Sequence, residues 1–201
     1  MMEDGRRTIL GASVSLSEAE VHWRKFLHSL KERGMYGTVL VVSDAHEGLK
    51  SALKATLPGV KWQRCQFHLQ RSAQSYITKH DLKGEVACDI RAIFNAPSLE
   101  EAHRLLAIVV EKYAKTQSKL SAWMEDNLPE GLAVFSLPPE TRRRLRTTNA
   151  VENLNRQIRR RTRISGLFPN EASLLRLVSA ILSETSDEWE AGPVYLNVTN
   201  I

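Results

Sequence analysis

Residues 38–50, TVLVVSDAHEGLK, decide how this chain is read. TVLVVS (38–43) is an unbroken apolar run of strand length, the pattern of a β-strand buried on both faces. EGLKSALKATL (47–57) follows at once with helical spacing and is stopped by Pro58-Gly59. Between the two stands Asp44. Asp44-Ala45-His46-Glu47 fits a capping box, in which the aspartate closes the start of the helix. Equally, the carboxylate is projected from the carboxyl end of a central strand, where open α/β sheets place their sites. Spacing alone leaves both readings open.

Working outward, VKWQRC (60–65) reads as another short strand leading into a helix from about 67 to 79. Upstream, RRTILGASVS (6–15) has the β-branched content of a strand, and Glu3-Asp4-Gly5 before it is a turn signal. LSEAEVHWRKFLHSLKERG (16–34) is a helix that Ser17 caps with Glu20 three residues on. Val21, Trp23, Phe26, Leu27 and Leu30 make its apolar stripe, and Gly34 ends it. The first part, residues 1–80, is therefore α/β. Residues 81–145 change character: apolar residues recur at three and four with no strand candidate, so a helical block is expected, closing at Pro138-Pro139. In the last part, 146–201, a helix from about 150 to 163 and a final amphipathic helix complete the chain.

Composition narrows the class. With 201 residues, 42% hydrophobic and 25% charged, the chain reads as a soluble globular protein. It has no apolar stretch near the roughly 18 residues of a membrane span. Met1 to Leu10 carries Glu3, Asp4, Arg6 and Arg7 and reads as no secretory leader. Two cysteines, Cys65 and Cys88, cannot build a disulfide framework, so a reducing cytoplasm is expected. The net charge of +5 is concentrated: residues 142–163 hold nine arginines against Glu152, a local +8 that leaves −3 for the remainder. Such a block suits phosphates, because guanidinium grips them with paired hydrogen bonds. A solvated arginine-rich helix face is the plainer alternative.

Three features can carry chemistry. Asp44 has the two readings above. Asn149-Ala150-Val151-Glu152 is also a capping box, yet a lone acid among arginines reduces cationic density, and a hard divalent cation is one reason to keep it there. Cys65-Gln66-Phe67-His68 is half of a zinc pattern, but structural zinc takes four ligands and Cys88 is the only other thiol. A packed cysteine beside a helical histidine is the default for that motif.

The stretches VVSDAHEGLKSALKATLPGVKWQRCQFHLQR and TTNAVENLNRQIRRRTRISGLFPNEASLLRLVSAIL resemble the Mutator-type transposases of bacterial insertion sequences, and the blocks follow the family's order along nearly the whole chain. The resemblance implies an RNase H-like core with an Asp-Asp-Glu triad that cuts and joins DNA. Asp44 then matches the second aspartate and Glu152 the glutamate, both catalytic and both metal ligands for Mg²⁺ or Mn²⁺. Arg156, Arg159, Arg160 and Arg163 lie along the helix after Glu152 as DNA-binding residues. Cys65 and His68 belong to a family motif of undetermined role. The implied partners are transposon-end and target DNA, a homo-oligomer or full-length transposase, with no membrane, in the bacterial cytoplasm at the nucleoid.

One departure accompanies the likeness. In the family, two strands precede the one at 6–15, and the first carries the first aspartate; Glu3 and Asp4 match neither. The expectation is thus an incomplete RNase H-like core, its first two strands missing at a truncated amino terminus, with an all-helical insertion before the glutamate helix. Residues 6–15 are expected to pair directly with 38–43, or the sheet to stay loosely ordered. The fragment is expected to be inactive alone. A non-catalytic DNA-binding remnant that interferes with full-length transposase is the alternative, and an RNA-binding protein, lacking a stacking surface of aromatics, ranks below both.

Overall fold

The strand at residues 40–43 finds one neighbour. β1 (Leu40–Ser43) and β2 (Lys61–Arg64) run parallel, with Leu40 opposite Lys61 and Ser43 opposite Arg64. The computed structural model describes residues 1–15, 17, 19–164 and 166–197, and among these the sheet has two strands. The helices are α1 (Glu20–Glu32), α2 (Glu47–Thr56), α3 (Gln66–Ala73), α4 (Lys83–Phe94), α5 (Leu99–Ala114), α6 (Ser118–Asn127), α7 (Pro139–Leu145), α8 (Asn149–Ile164) and α9 (Glu171–Ala191). Short 3₁₀ turns link α3 to α4 and α6 to α7. The fold is helix-rich α/β.

Two compact units interleave along the chain. The first gathers residues 1–38, 46–60 and 149–201. Here α1 packs on α2 and ends in a paired cap: Gly34, at φ +93, donates to the Lys31 carbonyl at 2.9 Å and Met35 to the Leu30 carbonyl at 3.0 Å. This is the left-handed stop that glycine makes cheaply. The expected cap at Ser17 is replaced, since Ala19 precedes the helix and no side chain caps it; Leu16, where the helix was expected to begin, lies outside the described residues. Leu154 of α8 meets Val178 and Leu182 of α9, with Ile9 and Trp189 alongside.

Residues 6–15 form no strand, contrary to expectation, and the sheet among the described residues does not include them, so of the two outcomes expected the direct pairing is not the one formed. Their polar groups are satisfied by α9 instead. The Ile9 amide donates to Ser186 Oγ at 3.0 Å, Arg6 donates to the carbonyls of Glu190 (2.5 Å) and Gly192 (2.6 Å), and Thr8 bonds the Glu190 carboxylate. β-branched content favours extended backbone, but a strand also needs a ladder partner. The preceding turn is present. Gly5 takes φ +77 and its carbonyl accepts from the Tyr195 and Leu196 amides, both at 3.0 Å.

The second unit gathers residues 39–45 and 61–148. Its core is the helical block, where Ile90, Ile93, Leu120, Met124 and Leu128 are fully buried and Leu40 of β1 packs at the margin. Two expectations are corrected here. β1 is half-buried at all four positions rather than buried on both faces: among the described residues it pairs with one strand only and is not the central strand of a wider sheet. The Pro138-Pro139 stop is a helix start: Pro139 is the first residue of α7, where its fixed φ and missing N–H cost nothing.

Candidate functional site

Asp44 follows the last residue of β1, and Cys65 follows the last residue of β2. The Cys65 amide donates to the Ser43 carbonyl at 2.7 Å, which carries the strand register one step past the sheet and sets the two residues at the same end. Cys65 also opens α3, so His68 stands one helical turn further on. Its Nδ1 contacts Asp44 Oδ1. Cys65 is fully buried, its Sγ accepting from both the amide and the hydroxyl of Thr148 at 3.4 Å each. The ligand atoms of Asp44, Cys65 and His68 lie within 4.8 Å of one another.

The capping reading of Asp44 is settled by its neighbour. His46 is the N-cap of α2, in extended conformation, and its Nδ1 accepts from the Leu49 amide at 3.2 Å. Asp44 holds no place in that cap, and its side chain is 61% exposed beside a hollow shared with Ala45, Arg64, His68, Arg71 and Ser72. A carboxylate so placed can reach an ion or a substrate from solvent.

The helical block holds this end of the sheet in place. Gln63 is buried in β2, and its Oε1 accepts from the Val134 amide at 2.6 Å; Gln66 Nε2 donates to the Gly131 carbonyl at 2.8 Å, and the Gln66 amide to the Arg146 carbonyl at 3.0 Å. A Cβ at Gly131 would come 2.6 Å from Leu69 Cδ1 and 3.0 Å from the Phe94 ring, so a larger residue there would make the Leu69 side chain shift. Arg64 donates to Asn127 Oδ1 at 2.9 Å and pairs with Glu130 at 3.4 Å.

The arginine block divides between the units. In the second, Arg142 donates to the carbonyls of Leu137, Pro97 and Phe135, and Arg146 donates to Asn95 Oδ1 at 2.6 Å, so these two cations serve the fold. In the first, α8 presents Arg156, Arg159, Arg160 and Arg163, all exposed, around a shallow groove with Ile164. Arg161 points elsewhere and pairs with Glu184 of α9 at 3.0 Å. Glu152 lies half-buried in the first turn of α8, one turn before Arg156. Asp44 belongs to the second unit and Glu152 to the first.

The family described as "Transposase, Mutator family" matches residues 1–192. The chain belongs to the Mutator family of transposases. It is 52% identical to the transposase for insertion sequence element IS406 of Burkholderia multivorans over 193 residues, 96% of this chain and 50% of that protein. The transposase for ISRM5 of Rhizobium meliloti is 37% identical, over 98% of this chain and 50% of the relative. That for IS256 in transposon Tn4001 of Staphylococcus aureus is 36% identical, over 93% and 48%. The chain spans about half the length of these curated relatives. Among the described residues of this Mutator-family chain, no helix is long and apolar enough to cross a membrane.

Sequence reasoning singled out Asp44, Cys65 and His68 separately; it missed that they converge. The available signal was the parallel pairing of two short strands, each followed directly by one of these residues. It also missed His46 as the cap, since a ring nitrogen is a less usual acceptor there than an aspartate oxygen.

Proposed function

We propose that this chain supplies Asp44 and Glu152 to the metal-dependent cleavage and strand transfer of transposon-end DNA by a Mutator-type transposase built on an RNase H-like core, with the α8 arginines holding the phosphates. The observation that carries the reading is the carboxylate of Asp44, relieved of capping by His46 and exposed at the carboxyl end of β1. Exposed carboxylate oxygens are the donors that Mg²⁺ and Mn²⁺ take, and Asp44 with the half-buried Glu152 fit that chemistry. Such ions, when bound, activate the attacking oxygen and stabilise the leaving one in an in-line phosphoryl displacement.

The protein's own groups do the rest. Arg156, Arg159, Arg160 and Arg163 recur along α8 at three- and four-residue spacing, so they form one cationic face that can track a DNA backbone. Contacts of that kind position DNA without reading sequence. Among these 201 residues only Asp44 and Glu152 match the triad, so residues 1–201 are proposed to bind DNA and leave it uncut. That also supports the second reading, a DNA-binding segment that interferes with full-length transposase, which the exposed arginine face favours.

The test is a cleavage and joining assay with labelled transposon-end DNA and Mg²⁺ or Mn²⁺. Residues 1–201 are expected to give no product. In a polypeptide of the relatives' length containing this chain, product is expected and is abolished by Asp44→Asn or Glu152→Gln. Activity that survives either substitution removes that residue from the reaction.

A further inference from the structure

Asp44, Cys65 and His68 offer a carboxylate, a thiol and an imidazole converging on one point, with ligand atoms no more than 4.8 Å apart. We propose that these three residues form a binding site for a borderline divalent cation of the zinc class, with water completing the coordination.

Three observations support the site. First, it is built by the backbone rather than by chance meeting of long side chains: Asp44 and Cys65 each follow the end of one of two paired parallel strands, and His68 is fixed one turn into α3. Zinc holds sulfur at about 2.3 Å and nitrogen or oxygen at about 2.0–2.2 Å, so bound ligand atoms sit roughly 3 to 4 Å apart, which side-chain rotation reaches from the observed spacing. Second, Cys65 Sγ is buried and accepts two hydrogen bonds, from the Thr148 amide and hydroxyl, while standing at the amino end of α3. These two hydrogen bonds hold the sulfur in place beside the Asp44 and His68 ligand atoms. Third, burial is graded from Cys65, fully buried, through His68, half-buried, to the exposed Asp44, so the site opens to solvent on the carboxylate side. Three protein ligands with an open fourth position are the pattern of a zinc ion that keeps a water.

The donor set selects the ion. Thiolate and imidazole suit zinc and its borderline neighbours and give little to magnesium, which takes oxygen. Two arginines border the hollow. Arg64 is engaged by Asn127 and Glu130, whereas Arg71 adds positive charge at the rim and weakens cation binding. A zinc-class ion here holds the same carboxylate that the proposed DNA chemistry assigns to magnesium. That consequence rests on the preceding section; the site itself does not.

The experiment uses Co²⁺ as a coloured stand-in for zinc on the whole 201-residue chain, read by the near-ultraviolet charge-transfer absorption that arises only when thiolate binds the ion. The band is expected to saturate at one ion per chain, to be bleached by an equal amount of Zn²⁺, and to withstand excess Mg²⁺. Cys88→Ser, which leaves Cys65 as the only thiol, is expected to keep the band, and Cys65→Ser to lose it. His68→Ala and Asp44→Asn are each expected to weaken Co²⁺ binding roughly tenfold or more. Absence of the band in the unsubstituted chain, its loss with Cys88→Ser, or its bleaching by Mg²⁺ overturns the site. None of these readings depends on DNA, so failure of strand transfer and failure of the metal site are separately visible.

Discussion

His46 and Asp44 sit two residues apart and do different work. The ring of His46 receives the Leu49 amide, one of the donors left without a partner at the start of α2, and it also lies 6.0 Å from the Trp23 ring of α1. Removing it with His46→Ala is expected to lower stability by about 1 kcal/mol, the usual cost of a lost cap. Asp44→Asn keeps the side chain's volume at an exposed position and is expected to change stability by less than about 0.5 kcal/mol. Urea midpoints of the two variants decide the matter, and a larger loss for Asp44→Asn means that the aspartate holds the helix after all. Gly5 gives a second prediction at this scale. A Cβ there would lie 1.7 Å from the Leu196 carbonyl oxygen at φ +77, so Gly5→Ala is expected to cost at least about 1–3 kcal/mol in thermal unfolding. An unchanged melting temperature would show that the turn does not bear on residues 194–196. The sequence made Asp44 visible as a candidate but left its role open, because a capping box and a strand-end carboxylate share one spelling, and only backbone geometry separates them.

At the scale of elements, α4 and α5 are tied by a polar knot. Lys112 pairs with Glu85 at 2.7 Å and Asp89 at 2.6 Å, and Tyr113, almost fully buried, donates its hydroxyl to Asp89 at 2.7 Å. Burial, reinforced by that carboxylate, pushes the Tyr113 hydroxyl up to about 12. Donating hydrogen bonds to Asp89 and then to Glu85 raises the Lys112 ammonium well above its ordinary range as well. Both groups are therefore favoured in the folded state in their protonated forms. Tyr113's contribution is complete below its unfolded value near pH 10 and is lost as pH rises through about 12. Unfolding midpoints measured across that window are expected to fall for the unsubstituted chain and to fall less steeply for Tyr113→Phe. An equal fall in both would remove Tyr113 from the alkaline transition. Helices such as α5 and α8 were readable from spacing, since an amphipathic helix encodes its own partner face. Residues 6–15 misled because strand formation depends on a neighbour that local sequence does not specify, and here the side chains of α9 took up the polar groups instead.

For the whole molecule, the interleaving of two units was not legible. Composition places a basic block at 142–163, but its division into cations that brace the helical core and cations that face solvent follows from tertiary contacts. That division bears on the central proposal, in which the α8 face grips DNA phosphates. Each phosphate contact made by a cation lowers the logarithm of affinity by about 0.9 per tenfold rise in salt. The direct measurement is the affinity of residues 1–201 for duplex DNA at several salt concentrations with metal chelated, for the unsubstituted chain and for the variant with Arg156, Arg159, Arg160 and Arg163 replaced by Ala. The account predicts a steep salt slope that the fourfold variant flattens by about 2 to 4, with little dependence on DNA sequence; an unchanged slope would contradict it.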